Sequence, residues 1–167
     1  MNIPSTEILH EHTLEELRAM CAGFIEPETT PDIILSKSAE LVSELRDDDA
    51  WNLLNYLHAI EIPIPDDLQH ALLVLKDSQV LRVRRSFYRL IGKGKLSIDP
   101  LVLALMLNTE SDPVAQSLIV DGFDSLETRE VLPLLKARLS EIDNAQNDEL
   151  FLVKKSLEKT IASLLTK

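Results

Sequence analysis

Apolar residues recur every three or four positions along most of this chain, and this spacing constrains the fold more than any other feature of the sequence. The last segment is typical, because its apolar residues fall on one face of a helix: Leu150, Val153, Leu157, Ile161 and Leu164. Leu supplies 31 of the 167 residues and Gly only 4, which favours helices over a fold with many β-turns. The spacing therefore predicts an all-α fold.

Several polar side chains mark helix starts, because they can accept hydrogen bonds from the unpaired N–H groups of a first turn. The residues that fit this role are Thr13, Thr30, Ser78, Asp99, Asp112 and Asn147. A Pro follows Asp99 and Asp112, and Pro suits the first helical position. With the apolar spacing, these caps predict helices at residues 13–26, 31–46, 49–60, 65–76, 79–91, 100–107, 113–122, 129–142 and 148–166. We expect residues 1–12 to be irregular and residues 1–167 to form a single domain.

Two local patterns make further predictions about the helices. Residues 101–107 are apolar on every side, which predicts a central helix that several neighbours cover. Gly92 follows a helical segment and is placed to end it in a left-handed conformation. Short polar connectors such as residues 108–111 predict antiparallel hairpins.

Three stretches share an apolar helix, a polar turn and a second helix that is entered through Val: residues 72–84, 105–114 and 132–154. Asp77 and Asp112 lie in two of the turns, and Arg84 and Lys154 follow two of the valines. This pattern resembles HEAT-like repeats, best from about residue 65 to residue 167, and it implies stacked antiparallel hairpins in an α-solenoid. The valines are 31 and then 39 residues apart, so an irregular helical bundle stays open as the alternative.

Charge is distributed unevenly along the chain. Residues 1–77 hold 4 Lys and Arg against 16 Asp and Glu, a net charge of −12, whereas residues 78–97 hold 6 basic residues and no acidic one. The negative half repels phosphate backbones and attracts basic proteins. We therefore expect a basic protein partner and no nucleic acid.

The acidic half contains the first candidate binding site. Its members are carboxylates and large aromatic residues of one predicted hairpin: Asp47, Asp48, Asp49, Trp51, Tyr56, Asp66 and Asp67. Trp and Tyr are favoured anchors at protein interfaces, and carboxylates around them steer a basic partner. The alternative is that Trp51 packs inward with Leu54 and Leu57 while the aspartates cap the helix.

The basic segment contains a second candidate surface, formed by Arg82, Arg85, Tyr88 and Arg89. A phosphate or an acidic peptide is the expected ligand if these side chains are exposed. The alternative, which we favour, is that the arginines form ion pairs with carboxylates of neighbouring hairpins, such as Asp77 or Asp112.

No motif in the sequence predicts catalysis, a metal or a cofactor, so we expect a protein that is not an enzyme. His10 and His12 lack the spacing of a helical metal site, and Cys21 lies on an apolar stripe. There is no apparent signal peptide, and the longest apolar run is too short to cross a membrane. These features and the single cysteine predict a cytoplasmic protein.

The first hypothesis for the function is an acidic protein-binding module, of the immunity or toxin-inhibitor kind, that masks a basic partner such as a nuclease toxin. This is an analogy at the level of protein class, based on size, acidity and helicity. The alternatives are a HEAT-like lyase or chaperone that acts on a small molecule, and a scaffold that binds an extended peptide.

Overall fold

The computed structural model describes residues 35, 38–40, 42–59, 61–126, 129–145 and 147–166. Its α-helices are α1 (Asp47–Ala59), α2 (Asp66–Leu72), α3 (Leu81–Gly92), α4 (Pro100–Thr109), α5 (Pro113–Leu126), α6 (Leu132–Ala145) and α7 (Phe151–Thr166). Short 3-10 helices span Val42–Glu44, Leu73–Asp77, Arg129–Val131 and Asp148–Leu150. These residues contain no strand, so the all-α prediction is confirmed for the described part of the chain.

Some predictions fall outside the described residues. They are the irregular segment 1–12, the helix at 13–26, the caps Thr13 and Thr30, and the residues His10, His12 and Cys21. Of the predicted helix 31–46, residues 35 and 38–40 are helical and Val42–Glu44 form a 3-10 turn.

Residue contacts divide the chain into two compact units, with the boundary between Ser86 and Phe87. That a single domain spans residues 1–167 stays a prediction. In the first unit, α1 buries Leu53, Leu54 and Leu57, and α2 buries Leu68 and Leu72, all of them 0% exposed. Burial of one such leucine stabilises the fold by about 1.5–3 kcal/mol. In the first turn of α1, Asp47 and Asp48 are exposed to solvent, whereas Asp49 and Ala50 are buried.

In the second unit, α4 and α5 form a hairpin, α6 contacts α7, and α5 packs along α7. The connector of the first hairpin is held by Glu110, whose Oε1 accepts the backbone N–H groups of Ser111 and Asp112, both at 2.9 Å. Glu110 is only 8% exposed, so its carboxylate replaces water for these two donors. The short polar connector expected here is therefore present, and the two helices that it joins contact each other.

The predicted caps at Asp99, Asp112 and Asn147 are confirmed. Asp99 Oδ1 accepts the N–H of Leu101 at 2.8 Å, and Asp112 Oδ2 accepts the N–H of Ala115 at 2.8 Å. Asn147 Oδ1 accepts the N–H of a residue two positions on, at 3.0 Å. Each cap is worth about 1 kcal/mol.

The end of α3 differs from the prediction. Gly92 is the last helical residue, and the left-handed residue is Gly94, with φ 67°. The N–H of Gly94 donates to Ile91 O at 2.8 Å, and the N–H of Lys95 donates to Leu90 O at 3.0 Å. These two bonds form a Schellman motif, in which the left-handed position favours Gly because a Cβ would be strained.

The prediction that residues 101–107 form a covered central helix is wrong. In α4, Leu103 and Leu107 are fully buried, but Leu101 is 75%, Leu105 64% and Val102 36% exposed. Because this helix is apolar on every side, any of its faces could be buried. The sequence does not show how many neighbouring helices are there to cover them. In this structure α4 buries one face and leaves the other to solvent.

Candidate functional site

The first turn of α1 places three consecutive carboxylates, Asp47, Asp48 and Asp49, at a helix N-terminus. Negative charge is favourable there because the first N–H groups of the helix are unpaired. Successive helical residues point about 100° apart, so the three side chains cannot share one face. Asp48 is 75% exposed, whereas Asp49 is 8% exposed and accepts a bond from Arg46 Nε at 3.2 Å. Asp49 therefore helps to hold the start of α1, and it is not placed to touch a partner.

Arg82, in the first turn of α3, reaches the exposed carboxylate of α1. Its Nη2 forms an ion pair with Asp48 Oδ1, and its guanidinium carbon lies 5.2 Å from the centre of the Trp51 ring. Asp48 and Trp51 are three residues apart on α1 and so are neighbours on its surface. We name Asp48, Trp51 and Arg82 the guanidinium site.

A second bond joins α1 to the segment that precedes α3, at the edge of this site. Ser78 Oγ donates to Asp47 Oδ1 at 3.3 Å and also accepts the N–H of Val80 at 3.2 Å. Ser78 was predicted as a helix cap, but the N–H that it accepts belongs to Val80, one residue before α3 begins. Its role in the site could not be found from the sequence, because 31 residues separate it from Asp47.

The contacts within the guanidinium site are individually weak. Asp48 is 75% and Arg82 51% exposed, and an ion pair at such exposure contributes about 0–1 kcal/mol. A cation over an aromatic ring at an exposed position adds about 0.5–1 kcal/mol. Trp51 keeps 36% of its surface exposed, so the ring neither packs fully inward with Leu54 and Leu57 nor stands free of its neighbours. The Arg82 side chain can consequently be displaced at small cost.

The remaining residues of the acidic candidate lie elsewhere in the first unit. Tyr56 is half-buried on α1. Asp66 and Asp67 are exposed in the first turn of α2, where Asp67 Oδ1 accepts the N–H of Leu68 at 2.9 Å. Gln69 Nε2 donates to Asp66 Oδ1 at 3.5 Å. These hydrogen bonds stay within the first turn of α2 and do not connect the two aspartates to the guanidinium site.

The structure does not bring the second candidate surface together. Tyr88 is 3% exposed, and its ring meets that of Phe87 edge-on at 5.5 Å, so it belongs to the core. Arg85 is half-buried and Arg89 is exposed. Arg82 makes an ion pair with a carboxylate, as the favoured alternative expects, and its partner is Asp48.

Asp77 and Asp112, the two aspartates named as examples of such partners, each make a contact close to them in sequence. Asp77 forms an ion pair with Lys76, and Asp112 caps α5. The expected pairing of an arginine with a carboxylate is therefore present for Arg82, and sequence separation alone could not tell that its partner is Asp48.

Metal-binding geometry is absent from the residues that the structure describes: no three His, Cys, Asp or Glu side chains are grouped closely enough to hold an ion. Within the same residues, no helix is both long enough and apolar enough to span a bilayer.

Comparison with protein-family models, with curated proteins and with solved structures finds no match for this chain. The resemblance to HEAT-like repeats therefore stays a prediction.

Proposed function

We propose that this chain is a protein-binding module that masks a basic partner by accepting an arginine or lysine side chain at the guanidinium site. The observation that carries the proposal is that Asp48 and the Trp51 ring already hold a guanidinium, that of Arg82. A carboxylate beside an aromatic face is the combination that recognises such a group in many interfaces. An arginine from a partner can take the place of Arg82 because the contacts to be broken are weak and exposed.

The surroundings of the site support a basic partner. Residues 1–77 carry a net charge of −12, and Asp47, beside the site, is exposed. A field of this sign raises the association rate of a cationic protein and depresses that of a polyanion. Trp and Arg are also the residues most enriched where interfaces bind strongly.

Inhibition of a secreted nuclease is the role that we infer for such a module. Nuclease active sites are basic because they bind phosphates, and an acidic surface with an aromatic anchor can occupy one. The proposal includes a cytoplasmic location, which the single cysteine favours.

The finer architecture belongs to the same proposal. We infer a HEAT-like stack for the second unit, because its two hairpins, α4–α5 and α6–α7, contact each other through their second helices, α5 and α7. Stacked helical hairpins of this kind present extended surfaces to protein partners.

The alternatives receive less support from the geometry. A pocket that contains His58 or Tyr88 would favour the lyase hypothesis, and Tyr88 is 3% exposed in the core. The peptide-scaffold hypothesis relied on Arg82, Arg85 and Arg89 as one surface, whereas Arg82 is engaged with Asp48.

The test uses association kinetics with a fluorescent peptide of nine arginines as the basic probe. We expect Asp47→Asn combined with Asp48→Asn to slow association severalfold and to flatten its dependence on salt, because two charges beside the contact are lost. The matched control is Asp148→Asn with Glu149→Gln, which changes the net charge equally at two exposed residues of the second unit. Equal slowing in both variants would show that only the total charge matters, and the proposed site would be rejected.

A second variant tests whether Arg82 occupies the place of a ligand. Arg82→Gln leaves Asp48 and Trp51 unoccupied, so the peptide should bind about three- to tenfold more tightly, as expected when about 1 kcal/mol of competing contact is removed. Arg129→Gln, at an exposed arginine of the second unit, makes the same change in net charge and serves as control. Unchanged or weaker binding of the Arg82 variant relative to this control would contradict the proposal.

A further inference from the structure

A second polar site lies wholly in the second unit, in a groove of about 430 Å³ formed by the end of α3 and by α5 and α7. Three basic residues line it, Arg89, Lys93 and Lys159, together with two acidic residues, Asp121 and Asp124. Sites for small molecules typically have volumes of about 300–1,000 Å³, so the groove is large enough for one.

Close approach of α3 to α5 forms the base of this groove. A Cβ at Gly92 would lie 3.2 Å from Leu118 O, so the lack of a side chain there lets the two backbones come near each other. About two turns further along α5, Ser125 Oγ donates to Ile91 O at 3.2 Å and fixes the position of the helix end. The base of the groove is therefore formed by closely packed helix backbones that a hydrogen bond joins.

The two carboxylates are supported from α7. Asp124 Oδ1 accepts a bond from Ser163 Oγ at 2.6 Å, and Asp121 accepts one from Ser156. Burial raises the pKa of Asp121, which Lys159 and Lys93 partly oppose. Both carboxylates are thus held in place as hydrogen-bond acceptors facing the groove.

The three cations differ from the carboxylates, because all three are exposed. Among the residues that the structure describes, none of Arg89, Lys93 and Lys159 makes an ion pair within 4.0 Å. Lys93 and Lys159 act on Asp121 at longer range. In a chain with a net charge of −11, this groove therefore presents three cationic donors whose hydrogen bonds are available to a ligand.

We propose that the groove binds a small phosphate ester of a polyol, with Arg89, Lys93 and Lys159 on the phosphate and with Asp121 and Asp124 on the hydroxyl groups. Charged donors recognise phosphate oxygens strongly, and carboxylates are the matching acceptors for hydroxyl groups. A phosphorylated macromolecule fits less well, because the rest of the acidic chain repels a polyanion. This site is independent of the guanidinium site and of the proposed protein-binding role.

The binding test follows backbone amide signals of the full chain by NMR during addition of glycerol 3-phosphate. We expect saturable shifts centred on Gly92, Leu118 and Ser125. Glycerol alone and sodium chloride at equal ionic strength should not reproduce them. The absence of saturable shifts up to about 10 mM ligand, a concentration that corresponds to very weak binding, would overturn the proposal.

Single substitutions test which lysines donate hydrogen bonds to the phosphate. Lys93→Gln and Lys159→Gln should each weaken binding about tenfold, which is the usual effect of losing one charged hydrogen bond. Lys155→Gln is the matched control, because Lys155 is an exposed lysine of α7 that does not line the groove. A loss of affinity for Lys155→Gln equal to that for Lys159→Gln would overturn the proposed site.

A comparison with inorganic phosphate separates the contribution of the phosphate group from that of the polyol hydroxyl groups. We expect it to bind more weakly than glycerol 3-phosphate, and we expect Asp121→Asn to reduce this difference because a hydroxyl acceptor is changed. Equal affinities of the two compounds for the unmodified chain would overturn the assignment of a polyol ester.

Discussion

The surroundings of Asp121 alter its acid–base behaviour. Burial is the largest influence and raises its pKa above the ordinary value of 3.8, while Lys159 and the Ser156 hydrogen bond act in the opposite direction. The nearby Asp124 raises the pKa further, and Lys93 lowers it. Burial prevails because the charged form loses hydration that the two lysines do not fully replace.

This raised pKa predicts how stability depends on pH. The folded chain binds the proton of Asp121 more tightly than the unfolded chain, so the contribution of Asp121 to stability is fully present below pH 3.8 and is lost as the pH rises through the folded-state pKa. Asp121→Asn cannot ionise and should therefore gain stability relative to the unmodified chain as the pH rises through this window.

Urea unfolding at several pH values between about 3 and 7 measures this difference. Glu130→Gln, at an exposed position of the second unit, controls for the loss of one negative charge. A difference for Asp121→Asn that is constant with pH, or that falls as the pH rises, would contradict the burial of this carboxyl group.

At the level of helices, Gly122 determines how closely α5 meets its neighbours. The sequence predicted that this helix ends at residue 122, whereas α5 continues to Leu126. A Cβ at Gly122 would lie 2.7 Å from Ile91 Cγ2 and 3.2 Å from Leu103 Cδ2. The lack of a side chain at Gly122 therefore allows close contact between the helices, and the helix does not end there.

Gly122→Ala has two opposing effects on the free energy of unfolding. Alanine favours the helix over glycine by about 1 kcal/mol. The added methyl group overlaps Ile91, which is 0% exposed, and overpacking of a buried site usually costs about 1–3 kcal/mol. We expect the overlap to prevail and the free energy of unfolding in urea to fall by about 1–2 kcal/mol.

A double-mutant cycle with Ile91→Ala identifies the cause. Ile91→Ala alone should destabilise by about 2–5 kcal/mol, because a buried side chain is lost. Gly122→Ala should cost less in the Ile91→Ala background, since the overlapping methyl group is gone. Strictly additive effects would show that the overlap with Ile91 is not responsible.

For the whole molecule, the sequence predicted what depends on neighbouring residues and missed what depends on distant ones. The caps at Asp99, Asp112 and Asn147 were correct because a cap bonds to N–H groups two or three residues away. The covered state of Leu101 and the exposed state of Tyr88 were wrong, because burial is decided by helices that come together only in the fold.

The candidate sites divide in the same way. Asp48 and Trp51 lie three residues apart and could be grouped from the sequence, but Arg82 was assigned to another surface because 34 residues separate it from Asp48. Lys159 and Arg89 are further apart still, and their common groove could not be found from a pattern of local spacing. The sequence shows that residues 78–97 are basic. It does not show that Arg82 lies in the guanidinium site while Arg89 and Lys93 line the groove.

The chain has a single tryptophan, and that residue belongs to the guanidinium site. Its intrinsic fluorescence is therefore an optical signal from one known place in the molecule. Arg82 covers part of the indole, so Arg82→Gln or about 1 M salt, which screens the ion pair, should increase quenching by acrylamide. Quenching that does not change in either case would show that the arginine does not shield the ring in solution. If the ring is shielded, the binding of an unlabelled cationic protein can be followed from the emission maximum and the fluorescence lifetime of this tryptophan.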